Sequence, residues 1–120
     1  MSATVMIIDD AVFMRNILRA ILKDKGYSVV AEAASGIEAM RTLHDHHPDI
    51  ILLDIILPDS NGLDLLESII KVRPHARVVV CSSISQESTV KKALECGAKA
   101  FIQKPFTPEK VIAALESLEA

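Results

Sequence analysis

The stretch from Asp49 to Gly62, DIILLDIILPDSNG, constrains the fold of this chain more than any other. Ile50, Ile51, Leu52 and Leu53 form an aliphatic run bounded by acids, too short for a stable helix and apolar on both faces. That is the pattern of a central strand in a parallel sheet covered by helices on either side. The run stops at Asp54, and Pro58 and Asn61-Gly62 then turn the chain. A carboxylate there is either solvated at a sheet edge or set in the crevice beyond the strand ends, where open α/β sheets bind ligands.

Further segments read as strands: Thr4 to Ile8, Ser28 to Ala33, Arg77 to Cys81 and Lys99 to Gln103. Helical patterns alternate with them. The first is predicted from about Val12 to Lys25, with Phe13, Ile17, Leu18, Ile21 and Leu22 on one packed face and Gly26 as its stop. Ser35-Gly36-Ile37-Glu38 has capping-box spacing and opens a second helix through Ile37, Met40 and Leu43 toward His47, broken by Pro48. Asn61 caps a third, Leu63 to about Val72, which ends before Pro74. The fourth runs from about Gln86 to Cys96 and stops at Gly97. Thr107-Pro108-Glu109 supplies a cap, a first-turn proline and a first-turn acid, so a fifth occupies most of Pro108 to Leu118. Five β-α units with short connections predict a doubly wound α/β sheet, parallel and with helices on both faces, in a single domain spanning 1–120.

Half of the 120 residues are hydrophobic and only 3% aromatic, so the expected core is aliphatic. No apolar run approaches the ~20 residues that span a bilayer, and the N-terminus lacks the basic flank and cleavage site of a signal peptide. A cytoplasmic protein without membrane insertion is the expectation. Cys81 and Cys96 lack C-x-x-C spacing and read as buried small apolar residues, not a disulfide. A net charge of −3 without any Lys/Arg block argues against direct nucleic-acid binding and for protein or small-ligand partners. His44, His46 and His47 have no thiolate or further ligand near them in sequence and read as a solvated helix end, not a zinc site. Met6, Met14 and Met40 read as core filler. Gly36, Gly62 and Gly97 form neither a dinucleotide fingerprint nor a P-loop.

The polar residues that immediately follow the apolar strands are Asp9 and Asp10, Asp54, Ser82 and Lys104. In a parallel sheet those strand ends share one edge, so residues far apart in sequence converge in one crevice. Three carboxylates supply hard oxygen ligands for Mg²⁺, and a hydroxyl and an ammonium suit an anion. Two carboxylates ~4 Å apart at an effective dielectric of ~20 repel by ~4 kcal/mol, so a divalent ion or Lys104 has to offset the cluster. With a cation present the site accepts a phosphoryl group, with Asp54 as nucleophile. Each residue also has an ordinary role: Asp9-Asp10 and Ser82 as helix caps, Asp54 as a turn starter, Lys104 as a solvated loop residue. Their occurrence together at matching ends of four strands favours the functional reading.

Asp9-Asp10, the run D54-I-I-L-P58 leading to Gly62, Ser82 and Lys104-Pro105-Phe106 together resemble the receiver domain of two-component response regulators over nearly the whole chain. The stand-alone chemotaxis type is the nearest likeness. The resemblance implies a five-stranded flavodoxin-like sheet of order 2-1-3-4-5 with five helices. It implies that Asp54 is the phosphoacceptor for a histidine kinase or phosphotransfer protein, the product being an acyl phosphate. Asp10 and Asp54 would bind Mg²⁺ (or Mn²⁺) directly, the Ile56 backbone carbonyl would add a ligand, and Asp9 would act through water. Ser82 and Lys104 would bond the phosphoryl oxygens. Phe101 takes the switch-aromatic position, where many relatives carry Tyr, so its inward state rests on packing alone. Output to a downstream protein would pass through the face of the fourth helix, fifth strand and fifth helix, with Lys91, Lys92, Lys99 and Lys110 outward. Ile56 and Ile84 lie two residues beyond Asp54 and Ser82, where they would obstruct the attacking water and slow self-dephosphorylation.

Two other functions are compatible with parts of this pattern. A phosphatase with an aspartyl nucleophile, of the haloacid dehalogenase kind, would carry D-x-D after its first strand, whereas the acids here are adjacent. A degenerate receiver serving as a phosphorylation-independent binding module would not need the complete acid, serine and lysine set. The chain is expected to promote its own phosphorylation and slow dephosphorylation without being a conventional enzyme.

Overall fold

The apolar runs assemble into one parallel sheet in the computed structural model, which describes residues 3–118. Counting only the strands of that sheet, the elements are β1 (Thr4–Ile8), α1 (Val12–Asp24), β2 (Ser28–Ala33), α2 (Gly36–Asp45), β3 (Ile50–Leu53), α3 (Gly62–Val72), β4 (Arg77–Ser82), α4 (Glu87–Glu95), β5 (Ala100–Gln103) and α5 (Pro108–Ser117). Between β3 and α3 a short antiparallel ladder pairs Ile56–Leu57 with Ser60–Asn61. The sheet order is β2-β1-β3-β4-β5, with every neighbouring pair parallel, as expected for a doubly wound fold.

The pleat divides the core into two layers. Met6, Ile8, Ile51, Leu53, Val78 and Val80 face α2, α3 and α4, where Leu43, Leu66, Ile69 and Ala93 meet them. Val5, Ile7, Ile50, Leu52, Val79 and Ile102 face α1 and α5, against Leu18, Leu22, Val111 and Leu115. Successive residues of β3 therefore serve opposite layers, which is why that run has no polar side.

The local signals acted much as their chemistry dictates. Ser35 Oγ accepts from Glu38 N–H, Asn61 Oδ1 from Leu63 and Asp64 N–H, and Thr107 Oγ1 from Lys110 N–H. Gly26 and Gly97 follow α1 and α4 with φ of 84° and 115°, the left-handed region where a side chain would be strained.

Two packing expectations are corrected. Phe13 and Ile17 are 65% and 44% exposed, because α1 is seated on Leu18 and Leu22 with Met14 and Ile21 beside them. Ile37 is likewise exposed, α2 being buried through Ala39 and Leu43. In both helices two apolar stripes at helical spacing were available, and which one faced the sheet depended on the neighbouring elements. Helix α2 also ends at Asp45, short of His47. The Arg73 guanidinium reaches back from the end of α3 and donates to the carbonyls of Leu43, His44 and His46, capping the last turn from outside.

Candidate functional site

Sheet register places the acids. Ile8 pairs with Leu53, so Asp9 and Asp54 leave the sheet at the same level. Their backbone N–H groups still donate to Ala33 and Ile8 carbonyls, at 3.0 and 2.9 Å, which holds both residues against the strand ends. By pleat parity Asp9 continues the row of Val5 and Ile7, Asp54 that of Ile50 and Leu52, and Lys104 that of Ile102. All three emerge on the α1/α5 side of the sheet.

The consequence is a bridged acid pair. Lys104 Nζ donates to Asp9 Oδ2 at 2.7 Å and to Asp54 Oδ2 at 2.8 Å. Asp9 and Asp54 are buried, at 2% and 7% exposure. The other Asp54 oxygen, Oδ1, accepts from Ile56 N–H at 2.8 Å, so the carboxylate is held at both ends. Asp10 is exposed and completes the group: one carboxylate oxygen from each of Asp9, Asp10 and Asp54 lies within 4.8 Å of the others. Three carboxylates against one ammonium leave an excess of negative charge. Burial alone would pull the Lys104 ammonium down. Its hydrogen bonds to Asp54 and Asp9, reinforced by their charge, outweigh that and hold it above the ordinary 10.5. Burial also pushes the neighbouring Cys81 thiol up to about 12, with Lys104 opposing the rise and the two acids adding to it.

Ser82 stands apart from this bridge. It continues the row of Val78 and Val80, on the opposite face, and is fully buried. Its Oγ accepts from Ile84 N–H at a long 3.4 Å. Phe101 is half-buried against the α2–α4 layer, as is Ile84, whereas Ile56 is 48% exposed. The Lys104-Pro105 peptide bond is cis.

The ordinary capping roles are not filled by these residues. The N-cap of α1 is Ala11, without a side-chain hydrogen bond, and Asp9 Oδ1 instead takes the Ala11 N–H at 2.9 Å. The N-cap of α4 is Gln86, well beyond Ser82, and it too makes no capping bond. Converging hard oxygens with an excess of negative charge fit a small divalent cation such as Mg²⁺. Among the described residues, that acid set is the only group of three or more such side chains arranged to hold a metal, and the histidines at the end of α2 are not part of it.

Two further residues bear on the site. Arg15, one turn into α1, donates to the Asp9 carbonyl at 2.5 Å and to Glu32 at 3.2 Å, tying α1 and β2 to the end of β1. Asp59 ties the loop after Asp54 to the start of α2. Neither carried a spacing signal in the sequence, since their partners are reached only through the fold. Cys81 is buried and Cys96 half-buried, and both are free thiols. No described helix is long and apolar enough to cross a membrane.

Comparison with known proteins bears on the fold and the family. The family model described as response regulator receiver domain matches residues 5–116. Chemotaxis protein CheY of Thermotoga maritima is 42% identical over 118 residues, covering 98% of each chain. CheY of Listeria monocytogenes is 44% identical over 111 residues, covering 92% of this chain and 93% of that one. Among solved structures, the CheX-CheY-BeF3-Mg complex from Borrelia burgdorferi superimposes with a TM-score of 0.94 at 35% identity, over 98% of this chain and 90% of that one. Family model, sequence relatives and fold agree, and this chain belongs to the response regulator receiver domains as a CheY-like member.

Proposed function

We propose that this receiver is a switch in which Asp54 accepts a phosphoryl group from a phosphohistidine on a kinase or phosphotransfer protein. The observation that carries the reading is the Lys104 bridge between buried Asp9 and Asp54 beside exposed Asp10. An Asp54 carboxylate oxygen attacks phosphorus, the P–N bond to the donor imidazole breaks, and the departing imidazole takes up a proton, leaving an acyl phosphate. Ile56 N–H orients one Asp54 oxygen. Lys104 gives up its bond to the other and pairs with the transferred phosphoryl group, where Ser82 Oγ can also turn. Asp9, Asp10, Asp54 and the Ile56 carbonyl are the residues that would hold Mg²⁺, which supplies charge neutralisation when bound. Val12 and Phe13, 61% and 65% exposed, place an apolar surface just past Asp10 at the mouth, which suits a protein donor.

The signal then passes to the face of α4, β5 and α5. Ser82 ends β4 and Phe101 lies on adjoining β5, while Lys91, Lys92, Lys99 and Lys110 are exposed around it, interspersed with exposed Glu87, Glu95 and Glu109, a charged surface of mixed sign for a protein partner. Taking the unphosphorylated protein from ~1% to ~99% active needs ~5.5 kcal/mol of differential stabilisation, so several phosphoryl contacts must form together. Without a hydroxyl, Phe101 contributes to that state by packing alone.

Incubation with acetyl phosphate and Mg²⁺, followed by mass spectrometry and assay of released phosphate, tests the reading. One phosphoryl group per chain is expected, absent in Asp54→Asn and in EDTA. Labelling that persists in either condition refutes the assignment; no labelling of wild type identifies a binding module, and rapid phosphate turnover a phosphatase.

A further inference from the structure

The loop that follows Asp54 is held at its tip as well as at its ends. Ile56 pairs with Asn61 and Leu57 with Ser60, leaving Pro58 and Asp59 as the turn. At one end Ile56 N–H is bonded to Asp54. At the other, Gly62 lies so close to Ile55 that a Cβ there would overlap the Ile55 carbonyl oxygen. The tip reaches across to α2: Asp59 Oδ1 accepts from Gly36 N–H at 2.9 Å and Oδ2 from Ile37 N–H at 3.1 Å. Gly36 has no Cβ, and one added there would collide with Ser60. The close approach is therefore built into both elements.

Helix α2 is already capped without this contact. Ser35 Oγ already takes Glu38 N–H, the Ser35 carbonyl takes Ala39 N–H at 2.9 Å, and Glu38 Oε1 reaches back to Ala34 N–H. Asp59 takes the two amides of the first turn that solvent could otherwise satisfy, from 23 and 22 residues downstream. What it adds is a polar tether from α2, which is packed on the sheet, to the exposed tip of a hairpin whose base is seated in the core through Ile55 and Leu57.

We infer that Asp59 is a positioning residue for the phosphorylation site, a latch that fixes the hairpin and with it the Ile56 N–H and carbonyl beside Asp54. This rests on the phosphoacceptor reading above. Asp59 touches neither the acids nor any reacting atom. Its action is to keep Ile56 from moving, so that one Asp54 oxygen stays oriented and the Ile56 carbonyl stays available to a cation.

The test is an NMR titration with Mg²⁺, together with hydrogen exchange at the Ile56 amide, for wild type, Asp59→Ala, Asp59→Asn and Ser35→Ala. Loss of a residue that orients a metal ligand from outside commonly weakens metal binding about tenfold or more, and Asp59→Ala should weaken Mg²⁺ by about tenfold. Its Ile56 amide should lose protection even in EDTA. Asp59→Asn, which keeps one acceptor oxygen, should recover part of both. Ser35→Ala removes a cap from the same helix and should lower melting temperature while leaving Mg²⁺ affinity and Ile56 protection intact. A folded Asp59→Ala that binds Mg²⁺ as tightly as wild type overturns the latch, as does an equal loss of affinity in Ser35→Ala. If wild type itself fails to bind Mg²⁺, the metal reading falls, and the latch is judged on Ile56 exchange alone: unchanged protection in Asp59→Ala overturns it.

Discussion

Replacing Lys104 by Met removes the cation that bridges Asp9 and Asp54 while keeping most of the side-chain volume. The Lys104 side chain is 14% exposed and the side chains of Asp9 and Asp54 only 3% and 8%, so water replaces the lost ammonium poorly. Breaking a buried pair by removing one partner costs ~3–5 kcal/mol. The crevice opens toward exposed Asp10, which argues for the lower end, about 3 kcal/mol. At roughly 4 °C per kcal/mol for a domain of this size, Lys104→Met should melt about 12 °C below wild type in EDTA. A cation bound by the same acids opposes that loss: at one hundred times its dissociation constant a ligand contributes about 2.7 kcal/mol, nearly the whole deficit. In wild type the ammonium already occupies part of that role and must share Asp54 with the metal. The stabilisation by Mg²⁺ should therefore be larger in Lys104→Met than in wild type at the same concentration. Thermal melts of both proteins in EDTA and across a Mg²⁺ series measure each quantity. A loss in EDTA below about 1 kcal/mol, the range of exposed ion pairs, would refute the buried-bridge reasoning. An equal Mg²⁺ gain in both proteins would refute the competition between lysine and metal.

Three further outcomes are expected. Because the Lys104 pKa is raised above 10.5 in the folded state, its stabilisation is fully present below that pH and lost as pH climbs through the folded value. The melting difference between wild type and Lys104→Met in EDTA should thus be flat from neutrality to about pH 10 and shrink at higher pH. Ile56→Asn should speed loss of the phosphoryl label about tenfold by adding a hydrogen-bonding group worth ~1.4 kcal/mol to the attacking water. Ile84→Glu should do the same at some expense in stability, since Ile84 packs against the core. Unchanged decay in a well-folded double mutant rules out the gating role. Native alkylation by iodoacetamide at pH 8 should label Cys96 and spare Cys81, whose thiol is buried and pushed up to about 12; peptide mapping decides.

Much of the architecture was legible because parallel sheets covered on both faces leave a local mark. β3 had to be apolar on both sides, so Ile50–Leu53 announced a central strand without any knowledge of its neighbours. Caps at Ser35, Asn61 and Thr107 and stops at Gly26 and Gly97 are satisfied within a few residues, so spacing alone located them. The site was legible for a topological reason: all strands point one way, so a polar residue after each apolar run is carried to one edge. Asp9, Asp54 and Lys104 met there as that rule requires.

What the sequence by itself determined, then, was the order of elements and the edge on which Asp9, Asp54 and Lys104 meet. The tertiary structure decided matters with a choice between near-equal local options. Helix α1 carries two apolar stripes of similar spacing, and packing against the sheet selected Leu18 and Leu22 while leaving Phe13 and Ile17 outside. Helix α2 could have continued to His47, but a guanidinium from the end of α3 satisfied its carbonyls sooner. Pleat parity set the resting Ser82 side chain on the face opposite the Lys104 bridge, and the contact of Asp59 with Gly36 and Ile37 exists only once α2 and the β3–α3 loop are side by side. Periodicity and capping are properties of a few consecutive residues, whereas the choice of face, the early stop and the cross-loop bond depend on free-energy differences set by neighbours distant in sequence, which no local pattern encodes.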